Sequence, residues 1–326
     1  MDVERRNRGI YWDRAWKLVE GCSKVSDACD HCWSEAETVR RTNHPNDAIR
    51  GRAMAVTHDA GRGRRFNGRI LCREDNLTLP VRHKIPTVFA VWNDLFHEDV
   101  PLDFIMDAYD QMYIARHHTF LVLTKRAARL ADFFDKVAAI GAPSLKNVWH
   151  GVTAEDQRTA CERIRHLLRV PGKKFVSCEP LLGPVDILKA VRGGLPSYLT
   201  VGPVPSRPMT DNIHAVIGGG ESGPQARPCN PEWARALRDQ CRDAGTPFYW
   251  KQNGEFASVS EVEGPGRAHY FPSGATVRRV GRVKAGRTID GRQYDFLPWD
   301  SLSGRFNGFE FDTTVGPAGV MPYEGR

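Results

Sequence analysis

Nowhere in the 326 residues does an apolar run approach the length that crosses a bilayer, and the opening stretch Met1-Asp-Val-Glu-Arg-Arg-Asn-Arg8 has no signal-peptide core. No membrane partner is expected, and the cytoplasm is the expected compartment. The chain also lacks an internal repeat and a low-complexity tract, which argues against solenoids and disordered spacers. Its one long glycine run, Gly218-Gly-Gly220, comes late and without the G-x-G-x-x-G spacing of a dinucleotide fingerprint. Cysteine occurs eight times, yet only one C-x-x-C pair is present, so the second half of a paired zinc site is missing.

What is present is an ordinary globular composition, 41% hydrophobic and 26% charged, long enough to bury a large α/β core. A chain of this length with no secretion signal more often uses clustered cysteines for metal or catalysis than for disulfides. The formal net charge is +7, and arginine is dense at Arg62, Arg64 and Arg65, continuing to Arg69 and Arg73. Arginine amid glycine can track a phosphate backbone, so Arg62, Arg64 and Arg65 are candidate nucleic-acid contacts; a solvated basic surface is the plainer alternative.

Short apolar strands are expected at 17–21, 69–73, 87–92, 119–123, 147–152, 174–177, 213–217 and 247–250. Helices are expected between several of them, at 102–115, 127–139, 155–168 and 231–244. The last has Asn230 as N-cap, Pro231 at the first helical position and Gly245 as a stop. Strands apolar on both faces and alternating with helices predict right-handed βαβ units and a parallel sheet. About eight units predict a complete or partly open (β/α) barrel over residues 1–254. The Gly-, Pro- and Arg-rich remainder, 255–326, reads as a hairpin or lid packed on it, with β-like pieces at 275–283 and 287–290.

The strongest local signal is Cys22, Cys29 and Cys32, spaced C-x6-C-x2-C between a first strand and a helix-prone run at 34–41. A structural zinc site is closed by four ligands, and His31, between two of the cysteines, is poorly placed to be the fourth. Three thiolates holding a [4Fe-4S] cluster would leave one iron open. Zinc, a cluster and no metal all remain readings of this loop, with the cluster suiting the ligand count best. An open iron suggests S-adenosyl-L-methionine, whose amino and carboxylate groups can chelate it, together with an electron donor for the cluster.

Polar residues follow nearly every expected strand, and in a parallel barrel those ends share one face. Lys125, in Thr124-Lys-Arg126, is a candidate carboxylate or phosphate clamp, or a surface ion-pair partner. Asn93 and Asp94, with His97, could orient a ribose or a substrate, and Asp94 could equally be a cap. Gly219 and Gly220 let backbone approach a ligand, and Glu221 could accept hydrogen bonds from an ammonium group; a tight turn is the alternative. Cys178 and Glu179 end a strand as candidates for hydrogen-atom donation and for proton transfer or ribose binding, against a buried inert thiol. Lys251 and Gln252 are weaker candidates for a substrate phosphate or carboxylate.

A partial barrel around a three-cysteine loop after strand one resembles the radical S-adenosylmethionine superfamily. The C-x-x-C half and the aromatic Trp33 beside the last cysteine match, while six residues separate the first two cysteines where that family usually has three. A closer resemblance rests on Gly21-Cys-Ser-Lys-Val-Ser26, Asp94-Leu-Phe-His-Glu98, Leu123-Thr-Lys-Arg126, Ser177-Cys-Glu-Pro-Leu-Leu-Gly-Pro184, Gly218-Gly-Gly-Glu-Ser-Gly223 and Ala285-Gly-Arg-Thr-Ile-Asp-Gly291. Over 12–298 these look like a phage- and prophage-associated three-cysteine family long labelled as of unknown function. The resemblance implies a radical S-adenosylmethionine enzyme acting in a host cytoplasm. The expected step is an isomerisation in thymidine hypermodification, converting an N-linked glycinyl group to a C-linked one on DNA or on a modified pyrimidine nucleotide. The competing readings are a metal-stabilised nucleic-acid-binding protein without turnover, and a radical lyase or methyltransferase acting on nucleic acid.

Overall fold

The computed structural model describes residues 3–61, 63–141, 144–194 and 212–299. Its centre is a seven-stranded, all-parallel sheet whose strands run in chain order: β1 (Arg14–Lys17), β2 (Val88–Trp92), β3 (Thr119–Thr124), β4 (Val148–Thr153), β5 (Lys173–Cys178), β6 (Ala215–Gly218) and β7 (Phe248–Trp250). Among the described residues β1 and β7 each pair with one strand of this sheet, so the sheet is a curled half-barrel, the partly open form of the two expected.

The alternation of side chains explains why both faces are apolar. Phe89, Phe120, Val122, Val176, Val216 and Trp250 pack outward against helices, in one core with Leu130, Phe133 and Leu237. Their strand neighbours Val88, Leu121, Trp149, Phe175, Ile217 and Tyr249 point into the concave face, where Tyr11 and Trp299 join them. Burying one such aromatic contributes roughly 2–3 kcal/mol, so the double-sided strands carry much of the stability.

The helices over Ala127–Ala139 and Pro231–Ala244 have the expected bounds, and those over Leu102–Ile114 and Gln157–Leu167 differ by a few terminal residues. Asn230 caps its helix by accepting from Glu232 N, and Asp156 with Thr159 forms a capping box that starts the helix two residues later than expected.

Two strand expectations are corrected. The first barrel strand is Arg14–Lys17, where Lys17 still registers with Trp92. Residues 69–73 supply no barrel strand; Leu71–Cys72 pairs antiparallel with Val19–Glu20 as a two-residue ladder beside the sheet. Apolar character alone could not separate these outcomes, because a short ladder and a barrel strand bury the same residue types.

Past Glu255 the chain forms a three-stranded antiparallel sheet, in the order Phe256–Ser258, Thr276–Arg279, Ala268–Tyr270. Residues 287–290 form no strand, although Ile289 bridges to Arg292. The segment then returns to the open edge: Trp250 N donates to Tyr294 O at 2.9 Å, and Trp299 Nε1 donates to Tyr11 O at 3.0 Å. That contact covers backbone groups an edge strand would otherwise present.

Candidate active site at the strand ends

Gly21 opens the cysteine loop at φ +89, and a Cβ there would lie 2.1 Å from Arg69 O, so only glycine lets the chain turn beneath the 69–73 segment. The loop continues through a short 3-10 turn at Asp27–Cys29, and Cys32 precedes the helix Trp33–Arg41. All three cysteines are half-buried. Burial, with the Asp94 carboxylate behind it, pushes the Cys22 thiol up to about 12 against the pull of Arg126. Burial also raises Cys32, while the Glu35 and Ser34 N–H groups at the helix start work the other way.

The polar strand-end residues do converge on one face, and most of them grip this loop. After β2 and β3, Arg126 donates to Asp94 at 2.9 Å, to Glu98 at 2.7 Å, to Ser23 Oγ at 2.7 Å and toward Cys22 Sγ at 3.8 Å. Burial opposes the Arg126 charge, yet Asp94 and Glu98 hold it firmly protonated. His97 Nε2 lies 2.8 Å from Ser23 Oγ. After β4, buried Glu155 accepts from Ser26 Oγ at 2.7 Å, Lys125 Nζ at 2.7 Å and Arg163 Nη1 at 2.9 Å. Burial alone would raise the Glu155 carboxyl; Lys125 and Arg163 instead hold it at about 2. After β6, Glu221 accepts from Arg227 at 2.6 and 2.9 Å and meets His31 Nδ1 at 3.2 Å, while Arg227 also donates to Asp27 O at 2.9 Å.

This network gives several of the expected site residues partners within the protein. Asp94 is saturated by Thr124, the Lys125 N–H and Arg126, and Lys125 spends its ammonium on Glu155. Asn93 donates to Val19 O at 2.9 Å and accepts from Ser34, tying Val19 to the helix after the cysteine loop. Glu221 already accepts from Arg227 on both oxygens and meets His31 on one, so an ammonium group would share it with them. Gly219 and Gly220 serve a neighbouring backbone: Gly220 N donates to Gln252 O, and a Cβ on Gly220 would sit 2.2 Å from Asn253 O. A ligand need not be invoked for these glycines.

Strand alternation sends Cys178 outward into the helix-facing core, fully buried and within electrostatic reach of Cys241, and burial pushes its thiol well above the ordinary range. Glu179, one residue on, ion-pairs with Lys251 at 2.6 Å. Arg64 bonds Thr57 inside the hairpin of Thr57–Asp59 and Arg64–Phe66, and Arg65 pairs with Glu35 at 2.7 Å. Both are partly structural; Arg62 lies outside the described residues.

Ser23, Ser26, His31, Arg163 and Arg227 were not singled out as holding the loop, and no spacing pattern marks them. His31, between two of the cysteines, meets the Glu221 carboxylate.

Among the described residues no group of three or more His, Cys, Asp or Glu stands close enough to hold a metal ion. The donor set nevertheless suits a thiolate-bound centre: three thiols on one clamped loop, the last at a helix start, with the Arg126 and Lys125 cations beside them to offset thiolate charge. Beside Cys32 opens a cleft of about 610 Å³ lined in part by Trp33, Trp92 and Arg65. Among the described residues no helix is long and apolar enough to cross a membrane.

The model of a family described as "Protein of unknown function (DUF5131)" matches residues 7–298. No curated protein and no solved structure matches the chain.

Proposed function

The chain belongs to that DUF5131 family of unknown function, and from the site itself we propose an iron–sulfur enzyme of the radical S-adenosylmethionine kind. Cys22, Cys29 and Cys32 would hold a [4Fe-4S] cluster, with S-adenosyl-L-methionine as cosubstrate and an external electron donor. The observation that carries the reading is the clamped loop: residues following four different barrel strands, through Asp94, Arg126, Glu155 and Glu221, hold one three-thiol segment at the strand-end face. A loop that merely connected a strand to a helix would not draw buried carboxylates and guanidiniums from across the sheet, since each such buried charge costs several kcal/mol unless paired.

Together the cluster and cosubstrate supply reductive cleavage of a carbon–sulfur bond and a 5′-deoxyadenosyl radical. The chain's own part is to position the thiols. Arg126 pulls the Cys22 thiol down and Lys125 the Cys32 thiol, each against the burial that raises it, and a bound metal would add to that pull. The Gly219–Glu221 stretch is not part of the support for the cosubstrate; that support is the three-thiol count and the parallel half-barrel. The substrate step proposed is the rearrangement of an N-linked to a C-linked glycinyl group on a modified thymidine, and it rests on the resemblance of the motifs.

The test is anaerobic reconstitution with iron and sulfide, followed by incubation with reductant and S-adenosylmethionine. Brown visible absorbance and 5′-deoxyadenosine are expected, both lost in the Cys22→Ala, Cys29→Ala and Cys32→Ala variants. Colour without deoxyadenosine would favour the metal-stabilised binding protein, a reading the cationic surface next to the loop also serves. A bound zinc and no colour would overturn the cluster.

A further inference from the structure

The proposed chemistry uses one side of the cysteine loop, and the other side opens onto a feature it leaves unexplained. A second cleft of about 620 Å³ lies beside the first, sharing Glu37 and Arg40 with it. Its walls carry Lys17, Arg40, Arg41, Arg52 and Arg73 against only Glu20 and Glu37, an excess of three positive charges. Arg52 and Arg73 both lean on Glu20, Arg73 also takes Asp75 at 2.7 Å, and Arg40 and Arg41 both lean on Glu37, so the surplus is two once Asp75, just outside the walls, is counted. Lys17 Nζ makes no hydrogen bond or ion pair among the described residues; it lies over the Trp92 ring at 5.4 Å. Its proton is held less firmly than usual, through burial first and the nearby Arg41 next, as expected where positive charge is in surplus.

Aromatic surface meets this charge at the cysteine end. Trp33, adjacent to Cys32, is 56% exposed, an unusual state for the largest apolar side chain in a folded protein. It stands edge-on to Trp92 at 4.6 Å, and Arg41 also covers the Trp92 ring at 5.5 Å. An exposed aromatic beside a row of cations supplies the two components of a single-strand site, one stacking a base and the other tracking phosphates. Each cleft alone is within the roughly 300–1,000 Å³ of a small-ligand site, and their common wall at Glu37 and Arg40 would let a run of nucleotides pass from one to the other.

We propose that these clefts form one groove for single-stranded nucleic acid, with phosphates along Lys17, Arg40, Arg41, Arg52 and Arg73 and a base stacked on Trp33 beside Cys32. Lys17 and Trp92 end adjacent barrel strands in register, so the groove leads to the strand-end face. The inference names the substrate class for the proposed enzyme and rests on that reading only for what happens at the cysteine end; the groove itself stands without a cluster.

The test therefore uses metal-free protein and a labelled oligonucleotide of roughly a dozen residues, within the site sizes single-strand binders cover. Fluorescence anisotropy should show binding that weakens steeply with salt. The double variant Lys17→Gln/Arg40→Gln should lose on the order of tenfold in affinity and flatten the log–log salt slope by about 0.7 per cation removed. Trp33→Ala should lose about tenfold, and Trp33→Phe should restore most of it. Arg158→Gln, on the helix Gln157–Leu167 and outside the walls of both clefts, should change nothing. The groove is overturned if the native chain binds no strand, if the Lys17/Arg40 and Trp33 variants bind within about twofold of native, or if a thymidine monophosphate competes as well as the strand. Duplex binding equal to single-strand binding, with no dependence on Trp33, would overturn the stacked-base assignment. None of these outcomes touches cluster assembly, which is read separately by colour.

Discussion

Cys22, Cys29 and Cys32 and their counterparts Cys178, Cys229 and Cys241 are the same residue type in opposite surroundings. The first three lie half-buried on one loop, held by hydrogen bonds from residues after four strands. The second three are buried in the helix-facing core, where burial lifts each thiol and little else acts on it. Cys178 is the last residue of β5 and the cysteine loop comes after β1, so a place at the strand ends does not by itself make a thiol available. What separates them is side-chain direction: strand alternation aims Cys178 at Cys241, while the loop leaves the sheet and escapes alternation altogether.

The sharpest way to break this comparison is to remove thiols from each group. Replacing any of Cys22, Cys29 or Cys32 by Ala should abolish most iron uptake on reconstitution while thermal unfolding of the metal-free chain moves little. Cys178→Ser should keep its iron. Iron retained in the triple loop variant, held by the core group instead, would falsify the division. Next in size is the cation between the loop and its anchors. Arg126→Met leaves Asp94 buried without its main partner and should cost about 3–5 kcal/mol in denaturant unfolding, as breaking a buried pair does. A cost below about 1 kcal/mol would mean the clamp contributes no rigidity.

Cys178→Ser sharpens the other side. A hydroxyl placed in that apolar layer should cost about 1–3 kcal/mol, measured by urea titration, because the helix-facing core offers it no matched partner. The smallest effect is the acid limb of stability. Glu155 is held at about 2 in the folded chain, below its unfolded value of about 4.3, so its contribution is present above that unfolded value and is lost as pH falls toward 2. The slope there should approach one proton, a factor of up to about ten in the folding equilibrium per pH unit, and Glu155→Gln should remove that slope. An unchanged acid limb in Glu155→Gln would show that the loop anchors titrate elsewhere.

The residues alone were enough for the parallel α/β architecture and the helices over Ala127–Ala139 and Pro231–Ala244, because hydrophobic period and caps are local properties. Tertiary structure alone decided the rest. Which apolar segments join the sheet depended on pairing partners, which moved 69–73 out of it and shifted the first strand to Arg14–Lys17. Which polar residues face a ligand depended on what else reached them first. Arg227 finds Glu221 six residues away, Arg126 reaches Ser23 from 103 residues away, and Lys125 is drawn to a carboxylate 30 residues on. A charge in a sequence is a free donor or acceptor; in a folded chain a buried one must be paired, and the partner is chosen by the three-dimensional neighbourhood rather than by the motif around it.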